Sequence, residues 1–252
     1  MTLDPIVLLA LIVAVSVAAL INGMIGFGFA LLAVNVLANV LGPKEAVIVM
    51  SLMTPLMSGL QLVRHRTFAP NWRRFRMLLA GALVGSLVGT QLLVVLPGPA
   101  ISLALGGFTL YYIMTALRRD HPPIAGSTER RLAPLAGLVG GVTNSTIGAS
   151  GPVFGTYMVA LGLRGREFAF AMSLSFFTMG VLRAAVLAVL DQYTLPLATA
   201  ALVLFLPSVA SQRVGFWLQG RAPTRLLHRV VLAVLLVASA NLLWRGVTAV
   251  LP

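Results

Sequence analysis

The stretch NGMIGFG at Asn22–Gly28 decides the fold, because its Asn-x-x-Ile-Gly pattern occurs again in NSTIGASGP at Asn144–Pro152. The two copies lie 122 residues apart, and the residues after them keep the same ungapped register, so that Met50-Ser51-Leu52 corresponds to Met172-Ser173-Leu174. A duplicated segment in a strongly apolar chain is typical of membrane transporters built from two related halves, which bind substrate where the halves meet.

The composition predicts an all-α polytopic membrane protein. Hydrophobic residues make up 59% of the chain and charged residues only 10%, with a mean hydropathy of +0.98, whereas soluble domains carry about a quarter charged residues. We predict one membrane domain made of two repeats, residues 1–121 and 122–252. The chain has no cysteine, which excludes a disulfide framework and thiolate metal sites. We expect neither a cofactor nor a metal site.

The net charge of +12 could indicate nucleic-acid binding, but its placement favours a membrane instead. The basic residues lie in short loops between apolar segments, as they do in cytoplasmic loops that face anionic lipid headgroups. We therefore expect a lipid bilayer, and no nucleic acid, as the large partner.

Six stretches approach the ~20 apolar residues that a spanning helix needs. They are 46–63, 77–96, 99–117, 168–190, 195–213 and 230–250. Two further apolar stretches, 5–41 and 132–163, are too long for one crossing. We expect each to be interrupted near its middle by the repeated motif, at Asn22–Gly28 and at Thr143–Pro152.

The basic loops predict how the broken stretches run. If each returns to the side from which it started, then 15 of the 18 basic residues share one side, as the positive-inside rule requires of the cytoplasm. Each half then crosses the membrane an odd number of times, which makes the halves inverted repeats with both termini outside the cytoplasm. Five plus five segments, or three plus three spans with two re-entrant hairpins, both fit. The second arms, 29–41 and 153–163, are too short for a ~30 Å hydrocarbon core.

The helix breaks are the candidate substrate site. A break inside hydrocarbon exposes backbone groups that need partners from protein, water or a ligand, and a helix N-terminus attracts anions. Pro152 favours a half-helix that starts near that residue. The alternative is that these groups only satisfy one another and pack the tips of the hairpins. The candidate residues in the breaks are Asn22, Gly26, Gly28, Thr143, Asn144, Ser145, Thr146, Gly148, Ser150 and Gly151.

Arg183 completes the candidate site, because it is the one basic residue well inside a predicted span. Charges within the membrane are expensive and mark functional sites, although a side chain near the outer end of a span could instead extend to the headgroups. Gln61 occupies the equivalent position of the first half. The two halves therefore differ in charge at matched sites, which suits a pathway for anions.

Small residues recur every four positions on two segments, at Gly81, Gly85 and Gly89 and at Gly137 and Gly141. This spacing lets helices approach closely in lipid. Ordinary packing explains it, and a sliding surface for conformational change is the alternative.

Catalysis has no support in the sequence. No Asp or Glu lies in the middle of a span, and the three histidines lie in loops or at their edges. Gly148-Ala149-Ser150-Gly151 matches the Gly-x-Ser-Gly pattern of intramembrane serine proteases. Those enzymes need a histidine base that no span supplies here, so we expect no enzyme.

With the motifs at Asn22–Gly28 and Asn144–Pro152, and the Met-Ser-Leu segments after them, the chain resembles the TauE/SafE family of bacterial membrane permeases over about residues 8–250. The resemblance implies transport of sulfite, sulfoacetate or a related organosulfur anion. The chain departs from the family pattern where Ala30 stands in place of the proline found at Pro152.

We therefore expect a secondary transporter of a small sulfur-containing anion, bound between the two broken helices near the bilayer midplane and exposed alternately to each side. An anion channel with a fixed filter at the breaks is the alternative. We expect a multi-pass protein of the bacterial inner membrane. The substrate, the direction, the coupling ion and assembly into a homodimer stay open.

Overall fold

The computed structural model describes residues 5–26, 28–117, 127–219 and 224–250 of the chain. A 3-10 helix lies at Arg66–Phe75. The α-helices of the described residues are α1 Pro5–Ile25, α2 Phe29–Leu41, α3 Pro43–Arg64, α4 Arg76–Val95, α5 Gly98–Leu117, α6 Ser127–Ile147, α7 Gly151–Ala160, α8 Gly165–Val189, α9 Leu195–Leu218 and α10 Thr224–Val250.

The prediction of a multi-pass membrane protein is confirmed. Within hydrocarbon every backbone polar group needs a partner in the protein, and a helix supplies all of them inside one segment. Helical stretches of the described residues that are long and apolar enough to cross a bilayer are Pro5–Ile25, Pro43–Arg64, Trp72–Val95, Gly165–Val189, Leu195–Leu218 and Leu232–Ala249.

The prediction that the apolar stretches 5–41 and 132–163 are interrupted at the repeated motif is confirmed, because the helices break between Ile25 and Phe29 and between Ile147 and Gly151. α1 and α6 each run for 21 residues before they end at Ile25 and Ile147, so each is about 31 Å long. Asn22 and Asn144 lie in the last helical turns rather than in the breaks. As expected, the second arms are short: α2 has 13 residues and α7 has 10.

The helices of the two halves pack reciprocally. α1 packs against α9, and α4, which corresponds to α9 in the register of the repeat, packs against α6, which corresponds to α1. α3 packs against its equivalent α8, and α5 packs against its equivalent α10. Exchanging each helix for its equivalent in the other half would therefore give the same set of helix contacts. The inverted orientation and the division into residues 1–121 and 122–252 stay predictions.

The glycines of α4 and α6 bring the two backbones into direct contact. A Cβ atom at Gly85 would overlap the carbonyl oxygen of Leu138, and one at Gly137 would overlap the carbonyl oxygen of Leu78. This contact favours packing over a sliding surface as the role of the repeated glycines.

The basic segments gather at one end of the bundle. Arg74 Nε donates to Glu129 Oε1 at 2.8 Å, which joins the 3-10 helix to the start of α6. Arg64 lies over the Phe216 ring, 5.9 Å from its centroid, at the ends of α3 and α9. Burial, followed by the charges of Arg64 and Arg166, lowers the pKa of His65. These contacts agree with the expectation that the basic loops share one side.

We expect Gly85→Ala to destabilise the protein and Gly107→Ala to leave it as stable or more so. Both glycines lie inside long helices, where alanine is favoured by about 1 kcal/mol. The added Cβ at Gly107 meets nothing within 4 Å, whereas at Gly85 it forces α4 and α6 apart, and overpacking typically costs about 1–3 kcal/mol.

The thermal unfolding midpoints of both variants in detergent test this expectation. Equal midpoints would contradict the close backbone contact between α4 and α6.

Candidate functional site

The first break depends on two glycines. Gly26 and Gly28 have φ angles of +94° and +105°, in the left-handed region that favours a residue without Cβ. At Gly26 a Cβ would also overlap the Cβ of Ala169. α2 begins directly afterwards, with Leu32 N–H donating to Gly28 O at 3.0 Å. The half-helix therefore forms without a proline at position 30.

The second break turns at Gly148, where φ is +71°. α7 begins at Gly151 with Pro152 in its first turn, as the sequence predicts. Ser150 precedes the helix, but its hydroxyl does not cap the helix; it donates to Asn144 Oδ1 at 3.2 Å. The start of α7 and the end of α6 are thus joined through side chains.

Equivalent residues hold the two breaks in place. Gln61 Nε2 donates to the carbonyl oxygen of Asn22 at 2.6 Å, and Arg183 Nη1 donates to the carbonyl oxygen of Asn144 at 2.7 Å. Each carbonyl also accepts the N–H of the glycine four residues later. The pair of interactions is the same in both halves, although the amide of the first is replaced by a guanidinium in the second.

Arg183 is fully buried, so the alternative that it extends to the headgroups is wrong. Within the described part of the chain, its Nε and Nη2 have no hydrogen-bond partner, and neither has the Nδ2 of Asn144. The one salt bridge found there joins Arg74 to Glu129. A buried charge without a counter-charge is strongly destabilising, so these three N–H groups call for an acceptor.

The hydroxyls of three candidate residues are already bonded within the protein. Ser145 Oγ lies 2.7 Å from Ser86 Oγ of α4, and Thr146 Oγ1 donates to Gly89 O at 3.0 Å. Thr143 Oγ1 donates to Val139 O at 2.9 Å within α6. The contacts of Ser145 and Thr146 attach α6 to α4, whereas Asn144, Ser150 and Arg183 come together at the break.

At the first break, Asn22 and Gly28 line a small cavity that sequence reasoning missed. Its wall also contains Phe29 and Ala30 of α2, Thr54 and Ser58 of α3, and Phe176 of α8. A signal was present, because residues 54, 58 and 61 are polar and recur at the spacing of one helix face in an otherwise apolar segment.

One family model, described as sulfite exporter TauE/SafE, matches residues 11–242. The chain belongs to the TauE/SafE family. The match contains both breaks, Gln61 and Arg183, and it confirms the resemblance drawn from the repeated motif. No curated protein and no solved structure matches the chain.

Membership of the TauE/SafE family implies a membrane transporter of the sulfite-exporter type. The proteins of the family are transporters rather than enzymes. Family membership thereby shows the general function expected from the sequence, which is transport across a membrane.

The contact between Ser86 and Ser145 predicts strong coupling between the two positions. Each single change to alanine leaves one buried hydroxyl without its partner, at a cost of about 1–3 kcal/mol. Changing both removes the pair, so we expect the double variant to lose less stability than the sum of the single losses.

A double-mutant cycle on thermal or chemical unfolding measures this coupling. Strictly additive losses would mean that Ser145 is not engaged by Ser86 and is free to contact a substrate.

Proposed function

We propose that this TauE/SafE protein carries a small sulfur-containing anion, sulfite or an organosulfonate, across the membrane, and that the anion binds at the second helix break beside Arg183. We also propose that the halves expose the anion alternately to the two sides of a bacterial inner membrane, with both termini outside the cytoplasm. The proposed contacts are Asn144, Ser150 and Arg183, with the backbone at Gly148 and Gly151 and, across the first break, Asn22, Gly26 and Gly28.

The observation that carries the proposal is the free edge of the Arg183 guanidinium. Nη1 donates to the carbonyl of Asn144, and Nε and Nη2, which have no partner among the described residues, lie along one edge of the planar guanidinium. In proteins, this edge of an arginine donates two parallel hydrogen bonds to two oxygens of one oxyanion. A sulfonate or sulfite group offers such a pair of oxygens. Its negative charge also supplies the counter-charge that the Arg183 guanidinium needs.

Two further groups at the break favour an anion. The Nδ2 of Asn144, which has no partner among the described residues, is a third donor, while the Oδ1 of the same amide accepts from the hydroxyl of Ser150. α7 begins at Gly151, and a helix N-terminus carries about half a positive charge together with unpaired N–H groups. Thr143, Ser145 and Thr146 support the break from α6 in this proposal.

The broken helices suit alternating access. In transporters with discontinuous helices, substrate lies at the interface of the repeats while one repeat moves against the other. The reciprocal packing of α1 with α9 and of α4 with α6 supports this proposal, because it brings the two halves into contact along the helices that end at the breaks. A channel would instead give single-channel currents and no saturable exchange.

We expect Arg183→Gln to abolish binding of the anion while the protein still folds. Glutamine occupies the equivalent position 61, where its amide donates to the equivalent carbonyl, that of Asn22. We therefore expect the substituted side chain to keep the hydrogen bond to the carbonyl of Asn144 without the charge. Losing a buried charged partner costs about 2–5 kcal/mol, which is roughly 30-fold or more in Kd.

The measurement is calorimetric titration of the purified protein with sulfite, sulfoacetate, taurine, thiosulfate and sulfate, with acetate as a carboxylate control. Arg213→Gln is the matched variant, because it removes the same charge from an exposed position of α9. If Arg183→Gln binds the preferred anion as tightly as the wild type, Arg183 is not in the site.

We expect Arg130→Cys to face the cytoplasm and Asp191→Cys to face the outside. Both residues are exposed, and the absence of cysteine from the chain makes each variant a single labelling site. The proposed orientation follows from the positive-inside rule.

An impermeant maleimide applied to intact cells should label Asp191→Cys alone, and should label both variants after permeabilisation. Labelling of Arg130→Cys in intact cells would contradict the proposed orientation.

A further inference from the structure

The first break carries unpaired groups of the opposite kind to those of the second. Thr54 Oγ1, Gln61 Oε1 and Gln212 Oε1 are buried and have no hydrogen-bond partner among the described residues. At Asn144 and Arg183 the groups without partners are N–H donors, whereas here they are oxygens. Buried polar groups normally have partners, so three unpaired oxygens around one helix break point to a ligand that accepts lone pairs.

The orientation of both glutamine amides is fixed by backbone carbonyls. Gln61 Nε2 donates to Asn22 O at 2.6 Å, and Gln212 Nε2 donates to Met57 O at 3.2 Å. Turning either amide around would set oxygen against oxygen, so the free end of each side chain is the carbonyl. Nothing but a cation or a hydrogen-bond donor can satisfy these ends.

The three side chains belong to elements that contact the end of α1, and Thr54 lines a cavity with Asn22 of that helix. Thr54, Met57 and Gln61 recur at the spacing of one face of α3, and Gln61 is bonded to the last turn of α1. Gln212 of α9 is bonded to that same face of α3 through Met57. α9 also approaches α1 closely here, because a Cβ at Gly23 would overlap the carbonyl oxygen of Gln212. Three elements thus enclose the first break.

We propose that the first break binds a hard monovalent cation of the sodium type. Neutral hydroxyl and carbonyl oxygens are the ligands that hard cations prefer. The C-terminal end of a helix, here that of α1, carries about half a negative charge and leaves carbonyls without partners inside the helix. In other transporters, half-helix ends and free carbonyls of this kind coordinate sodium.

The chemistry of the cluster selects the charge of the cation. A divalent ion needs carboxylates to offset its charge, and no group of three His, Asp or Glu side chains comes together among the described residues. Thr and Gln side chains do not titrate near neutral pH, so the cluster does not store a proton. A monovalent metal ion fits both conditions.

Asn22 and Gly28 place the cation site next to the anion pathway. They line one cavity with Thr54, Ser58 and Phe176, and Phe176 lies two turns before Arg183 on α8. A cation at the first break is therefore the coupling ion for an anion at the second, in a step that carries both together. This coupling role rests on the proposed transport function, whereas the binding of sodium does not.

The test is binding of radioactive sodium to the purified protein in sodium-free buffer, with choline as the balancing cation and no anionic substrate present. We expect saturable binding that unlabelled sodium displaces. Thr54→Val removes one proposed ligand and keeps the shape of the side chain, so we expect its sodium affinity to fall by about 10-fold to 100-fold.

Thr90→Val is the matched control. Thr90 is equally buried, but its hydroxyl bonds to Ser86 O in its own helix, so its sodium affinity should equal that of the wild type. Thermal unfolding midpoints show whether both variants are folded. Gln212→Leu removes a second proposed ligand and gives an independent reading if Thr54→Val does not fold.

Absence of saturable sodium binding to the folded wild type would overturn the proposal, and so would unchanged affinity in both Thr54→Val and Gln212→Leu. Sodium binding that survives Arg183→Gln, a variant expected to lose the anion, would support two separate sites. In proteoliposomes, anion uptake driven by a sodium gradient supports coupling, whereas uptake driven by a pH gradient alone overturns it.

Discussion

A hydrogen bond from the buried guanidinium of Arg183 to the carbonyl oxygen of Asn144 is the interaction on which the account depends. It is formed at a place where a helix ends inside an apolar bundle, so that the backbone itself needs partners. Among the residues that the structure describes, it also leaves the Nε and Nη2 of Arg183 without an acceptor. In the proposed function an anion completes this site and balances the charge, and a transporter of the sulfite-exporter type has such an anion as its substrate.

The two halves of the chain carry different residues at matched positions beside the breaks, and these differences make the two breaks unlike sites. Gln61 holds the carbonyl of Asn22 as Arg183 holds that of Asn144, but without a charge. Thr54 corresponds to Phe176 in the register of the repeat, and both line the cavity at the first break. The two breaks thus share a backbone arrangement, but the side-chain groups without partners among the described residues are oxygens at the first break and N–H donors at the second. Joint transport of a cation and an anion, as proposed, would need two such unlike sites.

Much of the fold could be predicted from the sequence, because the pattern that defines it is repeated and strongly apolar. The register of the repeat gave the equivalence of Gln61 and Arg183, and Pro152 gave the start of α7 to within one residue. The motif predicted where α1 and α6 break, but not the residue at which each helix ends, since hydropathy is the same on both sides of Ile25. It is the positive φ of Gly26 and Gly148, a property of the backbone, that ends these helices.

The candidate site was predicted less well than the fold, because burial of a side chain depends on helix packing and not on its own segment. Arg183 could have extended to the headgroups, but in the structure it is fully buried on α8, which packs against α3, α4, α6 and α7. Ser145 and Thr146 had the composition of ligand groups, yet their hydroxyls join α6 to α4. The cavity at Thr54 and Ser58 was missed because a face of polar residues on a span has no fixed motif, although its spacing was readable in the sequence.

The central claim is that an anion completes Arg183, and an electron cryo-microscopy map of the protein in lipid nanodiscs with saturating sulfite tests it most directly. The account predicts density for a bound anion within hydrogen-bonding distance of Arg183 Nε and Nη2 and of Asn144 Nδ2. A map in which those three groups contact only protein, or in which the anion lies elsewhere in the bundle, would contradict it.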